Sequence, residues 1–251
     1  MYGISTRKQA LALVAQGRSL NSVSRETGIS RAALRSWQRH LEPSPRMAAP
    51  DPGPPADAPA YAYLLGLYLG DGCISAHPRS GYYLRITCAD VWPGLIERCR
   101  EAILRVRPGI GVYVQPKQGC VAVTSYSPYW PRLFPQHGPG KKHERPIVLE
   151  PWQQAIVDAH PWEFVRGLVH SDGCRITNWT TRVVGGERKR YEYPRYFFTN
   201  KSDDIRRLYT DTLDRLGVEW THCTRGGAPF NVSVAKKASV ALMDRHVGPK
   251  Y

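Results

Sequence analysis

A chain of 251 residues with 42% hydrophobic and 22% charged residues can build one sizeable core and a small second domain. No apolar run reaches the roughly eighteen residues of a membrane span, and no signal-like segment opens the chain. Six cysteines without a CxxC pair (Cys73, Cys88, Cys99, Cys120, Cys174 and Cys223) argue against structural zinc and for a reduced, cytoplasmic setting. The net charge of +14 and pI near 9.7 point to polyanionic partners, phosphate backbones first.

Residues 1–41 carry seven Lys/Arg against one acid, a charge of +6. They predict three short helices over 6–16, 19–27 and from Ser30 onward. Gly17 stops the first helix, Gly28 supplies a positive-φ turn, and Ser30 can cap the third. On the third, Leu34, Trp37 and Leu41 form a core stripe, while Arg31, Arg35 and Gln38 share another face. A helix, a glycine turn and a helix with a basic outward face resemble a helix-turn-helix DNA reader. Residues 42–60, "EPSPRMAAPDPGPPADAPA", hold seven prolines and almost no large apolar residue, and so predict a semi-rigid linker of charge −2.

The remainder, 61–251, carries +10 and contains a repeat. "LLGLYLGDGC" (64–73) is matched 101 residues later by "VRGLVHSDGC" (165–174). Gly66, Leu67, Asp71, Gly72 and Cys73 answer Gly167, Leu168, Asp172, Gly173 and Cys174, and Gly70 answers Ser171. Each copy is followed by two strands, a helix, a hairpin and a last helix. Two such halves, about 61–140 and 150–251, make a pseudo-twofold α+β domain.

Small residues at i and i+4 share a helix face. The stripes Gly66/Gly70 and Gly167/Ser171 therefore predict two motif helices in close contact, with Asp71 and Asp172 emerging side by side at their C-terminal ends. Two carboxylates at two negative dipole ends call for a cation, and oxygen donors suit Mg²⁺ or Mn²⁺. A metal among carboxylates beside a basic surface is an arrangement for phosphodiester hydrolysis.

The two stretches resemble the paired motifs of LAGLIDADG homing endonucleases, over residues 61 to about 248. The resemblance implies two αββαββα halves forming a saddle over double-stranded DNA, in a single-chain monomer with internal pseudo-symmetry. It implies that Asp71 and Asp172 bind the metals, with carbonyls near Gly70 and Ser171 as further ligands, in site-specific double-strand cleavage. Basic residues flank the metals in that family, and Lys117 and Arg225, each on the hairpin of its own half, are the candidates. The second motif departs at Arg166 and His170; His170 either flanks the site or faces outward on its helix, and the outward position is the expected one.

For DNA contact, Tyr83, Arg85 and Thr87 form the polar face of a half-buried strand. In the second half a long hairpin turns at Gly185-Gly186. Its Arg175, Thr177 and Trp179 share a face, although the repeat pairs Arg175 with Ile74 and so opposes that parity unless a bulge intervenes. Arg188, Lys189 and Arg190 beside the turn suit phosphates, as do Lys141, Lys142 and Arg145 between the halves. The chain starts without an intein's nucleophile and reads as freestanding, a DNA-associated protein of bacterial or phage type. A non-cleaving transcriptional regulator on the same scaffold is the alternative, and an RNA maturase a third reading.

Overall fold

The computed structural model describes residues 2–41, 53–78, 80–225 and 228–251, the side chains of 225, 228 and 229 excepted. The chain divides into two units, and most of the expected linker, 42–52, lies outside the described residues.

The first unit holds α1 (Ile4–Ala15), α2 (Leu20–Thr27) and α3 (Arg31–Arg39). The Ser19 side chain accepts from Ser22 N and that of Ser30 from Ala33 N, satisfying otherwise orphaned helix-start donors. Gly28 ends α2 at φ +69°, a value that a residue with a Cβ rarely adopts. Ala10, Val23, Ile29, Leu34 and Trp37 form its small core, and Arg31, Arg35 and Gln38 are exposed.

The second unit repeats one order of elements. The first half is α4 (Ala58–Asp71), β1 (Gly72–Ala76), β2 (Tyr82–Ala89), α5 (Pro93–Val106), β3 (Val112–Lys117), β4 (Cys120–Ser127) and α6 (Trp130–Leu133). After a connection carrying α7 (Pro151–Ala159) comes the second: α8 (Pro161–Asp172), β5 (Gly173–Val184), β6 (Glu187–Thr199), α9 (Asp203–Arg215), β7 (Thr221–Arg225), β8 (Ala228–Val234) and α10 (Lys237–His246). Each half has one antiparallel sheet, ordered β1-β2-β4-β3 and β5-β6-β8-β7. The fold is thus α+β, with two αββαββα halves. Among the described residues no helix is long and apolar enough to cross a membrane.

One boundary and one helix differ from expectation. Helix α4 starts at Ala58, inside the stretch read as linker, because the Asp57 side chain accepts from Ala60 N and Pro59 suits a first turn. Helix α7 was not foreseen. It packs beside α4, where Gln153 Nε2 donates to the buried Tyr61 hydroxyl at 2.6 Å.

Helices α4 and α8 form the spine of the unit. A Cβ built on Gly66 would stand 2.6 Å from both Leu168 N and Phe164 O, and one on Gly167 would stand 2.1 Å from Tyr63 O. Glycine is therefore required by main chain meeting main chain, closer than side chains permit. Around this pair a single core joins Leu64, Leu65, Leu84, Ile86, Val123, Phe164, Leu168, Tyr196 and Phe198.

Candidate functional site

The close approach of α4 and α8 brings their C-terminal ends together. A Cβ on Gly70 would fall 2.4 Å from Ser171 Cβ and 3.0 Å from Asp172 Oδ2, so the end of one helix lies against the carboxylate of the other. Asp71 and Asp172 close these helices, and each following glycine opens a strand. Asp71 is exposed and Asp172 half-buried. The surrounding protein raises the pKa of both. Burial moves Asp172 up to about 6, with the nearby Asp71 charge adding to the effect and a hydrogen bond from Asn200 opposing it. Although its side chain reaches solvent, Asp71 is raised by the protein packed around its carboxylate, which desolvates the charged form, against the pull of Lys250 and Lys142.

Two lysines compensate these acids. Lys142 Nζ donates to the carbonyls of Tyr68, Gly70 and Gly72 at 2.6, 2.9 and 2.6 Å. Lys250 Nζ donates to the Ser171 carbonyl at 2.8 Å. Burial pulls Lys142 down to about 8, while Asp172 and Asp71 resist that fall. Burial lowers Lys250 as well. Asn200 Nδ2 donates to Asp172 Oδ2 at 2.5 Å and fixes that carboxylate. Gly70, Gly72, Cys73, Lys142, Asp172 and Asn200 line a cleft of about 410 Å³ between the halves.

The two carboxylates and the Gly70 and Ser171 carbonyls offer oxygen donors of the kind a hard divalent cation takes. Among the described residues no three or more His, Cys, Asp and Glu side chains cluster so as to hold a metal. A cation here would depend on main-chain oxygens and water beside the aspartates.

Lys142 was expected to touch phosphate between the halves, and the structure places it on the α4 end instead. Lys250 and Asn200 escaped the sequence reading. A signal existed, since "GPGKK" (138–142) and "GPK" (248–250) each follow the last helix of a half. The structure does not bring Lys117 to the aspartates. It is exposed at the end of β3, three strand spacings from β1, about 14 Å across the sheet. Arg225 ends β7, the equivalent outer strand, and its side chain lies outside the described residues. Lys141 and Arg145 stay near this connection, where Lys141 pairs with Glu144 and Arg145 donates to the Gln136 and Gly140 carbonyls.

His170 faces inward, contrary to expectation. It is buried, shares a 3.0 Å hydrogen bond with the Tyr63 hydroxyl, and burial lowers its pKa to about 3. Arg166 donates to the His246 carbonyl at 2.8 Å and pairs with Glu163 at 2.6 Å. The second motif thus swaps two leucines for polar groups whose partners lie within the fold.

The sheets settle the parity conflict. Leu84 and Ile86 of β2 face the helices, which leaves Tyr83, Arg85 and Thr87 on the open face with Cys73 and Ser75. In the second half β5 and β6 pair without a bulge, and Arg175 stands opposite the buried Tyr196. Arg175 therefore faces α10, where Nε and Nη2 reach Asp244 at 2.6 and 2.9 Å. Thr177 and Trp179 follow the same parity, so all three leave the expected open face to Cys174, Ile176, Asn178 and Arg195. Further out, the hairpin runs as a two-stranded ribbon exposed on both faces, turning at Gly185-Gly186 with φ of +64° and +84°. Arg188, Lys189 and Arg190 are exposed there, and Arg190 stacks over Trp179 at 5.0 Å.

No protein-family model matches the chain, and no curated protein sequence matches it. Among solved structures, one of I-DmoI in complex with DNA and Mn is 13% identical, covers 77% of this chain and 98% of its own, and superposes with a TM-score of 0.48. The N-terminal LAGLIDADG domain of DUF199/WhiA is 10% identical over 77% of this chain and 83% of its own, at a TM-score of 0.47. The LAGLIDADG meganuclease I-AabMI bound to uncleaved DNA is 12% identical over 74% of this chain and 83% of its own, at a TM-score of 0.46.

Proposed function

We propose that this chain is a divalent-metal-dependent, site-specific DNA endonuclease acting as a pseudo-symmetric monomer. The observation that carries the reading is the pairing of Asp71 and Asp172 across two glycine-packed helices. An open strand face bearing Tyr83 and Arg85 and a net charge of +14 accompany it. Burial raises the pKa of both acids and the Asp71 charge raises Asp172 further, so keeping them charged and adjacent is costly, and a cation bound between them offsets that cost.

Mg²⁺ or Mn²⁺, held by Asp71 and Asp172 with the Gly70 and Ser171 carbonyls, would supply a water of lowered pKa and charge neutralisation at the leaving oxygen. The chain's own residues do the rest. Asn200 orients the Asp172 carboxylate. Lys142 and Lys250 provide positive charge within reach of a backbone phosphate. Arg85, Tyr83 and Thr87, with Asn178 and Arg195 in the other half, read or hold the duplex, and the ribbon's Arg188, Lys189 and Arg190 track phosphates. The three-helix unit, through Arg31, Arg35 and Gln38, serves as a tethered second DNA reader that raises local concentration.

A second reading is a non-cleaving DNA-binding regulator. It is favoured by the lysine contacts, which already compensate both acids without a metal. Incubation with Mg²⁺ or Mn²⁺ and a genomic DNA library, followed by mapping of new ends, separates the two. Discrete recurrent double-strand ends support the endonuclease. A tightly bound site that is never cut supports the regulator.

A further inference from the structure

Lys142 makes an unusual contact set. Its Nζ has three carbonyl partners within 2.9 Å, one for each N–H of an ammonium, and lies 5.0 Å from the centroid of the Tyr68 ring. Tyr68 and Gly70 belong to the last turn of α4 and Gly72 opens β1; the dipole is negative at this helix end, and the Tyr68 carbonyl also accepts from Gly72 N. Lys250, in the corresponding place, has one such contact, to Ser171. The two helix ends are therefore filled unequally.

We propose that Lys142 is a built-in competitor of the divalent cation. Its ammonium occupies the Gly70 carbonyl at rest, and a cation gains that oxygen only when Lys142 withdraws. This rests on the metal-site reading above. An ammonium and a divalent ion on one oxygen would stand close enough for strong repulsion, so occupancy is exclusive. A phosphate drawn to Lys142 would free the carbonyl, so DNA and cation would favour each other's binding.

The test uses the full chain without DNA, titrated with Ca²⁺ by calorimetry. Lys142→Met is expected to bind about tenfold tighter than wild type, the worth of one charge-assisted hydrogen bond no longer broken on loading. Lys250→Met removes the same charge but only one contact, and gains less. In the wild-type chain, reductive methylation read by mass spectrometry should modify Lys142 slowly without Ca²⁺ and faster as Ca²⁺ binds, which keeps the test valid if Lys142→Met folds poorly. Binding that Asp172→Asn abolishes, but that tightens equally in the two lysine variants or leaves Lys142 labelling unchanged, overturns this inference alone. No Ca²⁺ binding, or binding indifferent to Asp172→Asn, overturns the metal reading and this inference together.

Discussion

Asp172→Asn should stabilise the protein at neutral and alkaline pH. Asp172 has a folded-state pKa of about 6 against an ordinary 3.8, raised first by burial and then by Asp71. A folded pKa above the unfolded one favours the protonated form. Its stabilising contribution is complete below pH 3.8 and is lost as pH rises through about 6. About two pKa units at 1.36 kcal/mol each sets an upper bound near ~3 kcal/mol for the cost of the charged form at pH 8. Partial exposure and solvent screening reduce this to about 1–2 kcal/mol. Asparagine keeps the shape, and its Oδ1 still accepts from Asn200. Thermal unfolding at pH 4.5, 6 and 8 should show a gap of several degrees at pH 8 that closes toward pH 4.5. Millimolar Ca²⁺ at pH 8 should stabilise the wild type and not the variant. A variant less stable than wild type at pH 8, or a gap that ignores pH, would refute this account of the site's electrostatics.

Gly66→Ala puts a methyl 2.6 Å from main-chain atoms of α8 and should cost about 2–4 kcal/mol, seen as a lower melting temperature. His170 titrates in the opposite sense to Asp172. Its folded pKa of about 3 lies below the ordinary 6.5, so its contribution holds above pH 6.5 and falls away as pH drops toward 3, and His170→Gln should flatten that acid-side loss in urea titrations. Arg175→Ala should leave DNA affinity unchanged because Arg175 is engaged by Asp244, whereas Arg195→Ala, on the open face, should weaken binding about tenfold in gel-shift titrations. Lys117→Ala should leave the cleavage rate as it was, since Lys117 lies at the outer strand.

The architecture was legible because it is written twice. One copy of Gly-x-x-x-Gly-Asp-Gly suggests a helix end; a second copy 101 residues later, with Ser171 in place of the second glycine and strands following in the same order, implies a twofold pair of helices. Gly66 and Gly167 could be read as a contact surface because absence of a side chain has a local meaning. The basic partners of the site were not legible in the same way. Lys142 and Lys250 reach the motif from segments 70 or more residues away, and only the tertiary fold shows which lysine arrives. Lys117 looked equivalent on the linear map and lies across the sheet. Arg175 shows a further limit. Alternation along β5 identified a face, but which face met the helices depended on its pairing with Tyr196 and the ion pair to Asp244. His170 misled because a polar residue suggests an outward position, whereas Tyr63 across the helix pair supplies it with a partner indoors.

The central claim is that Asp71 and Asp172 together make one metal-dependent cutting site. The most direct measurement is cleavage of a mapped DNA site in Mg²⁺ by wild type, Asp71→Asn and Asp172→Asn, with affinity for the same site measured in parallel. The account predicts cutting by wild type only, and binding by all three within a few fold. Cutting that survives in either variant, or a wild type that binds the site and leaves both strands whole, would contradict it.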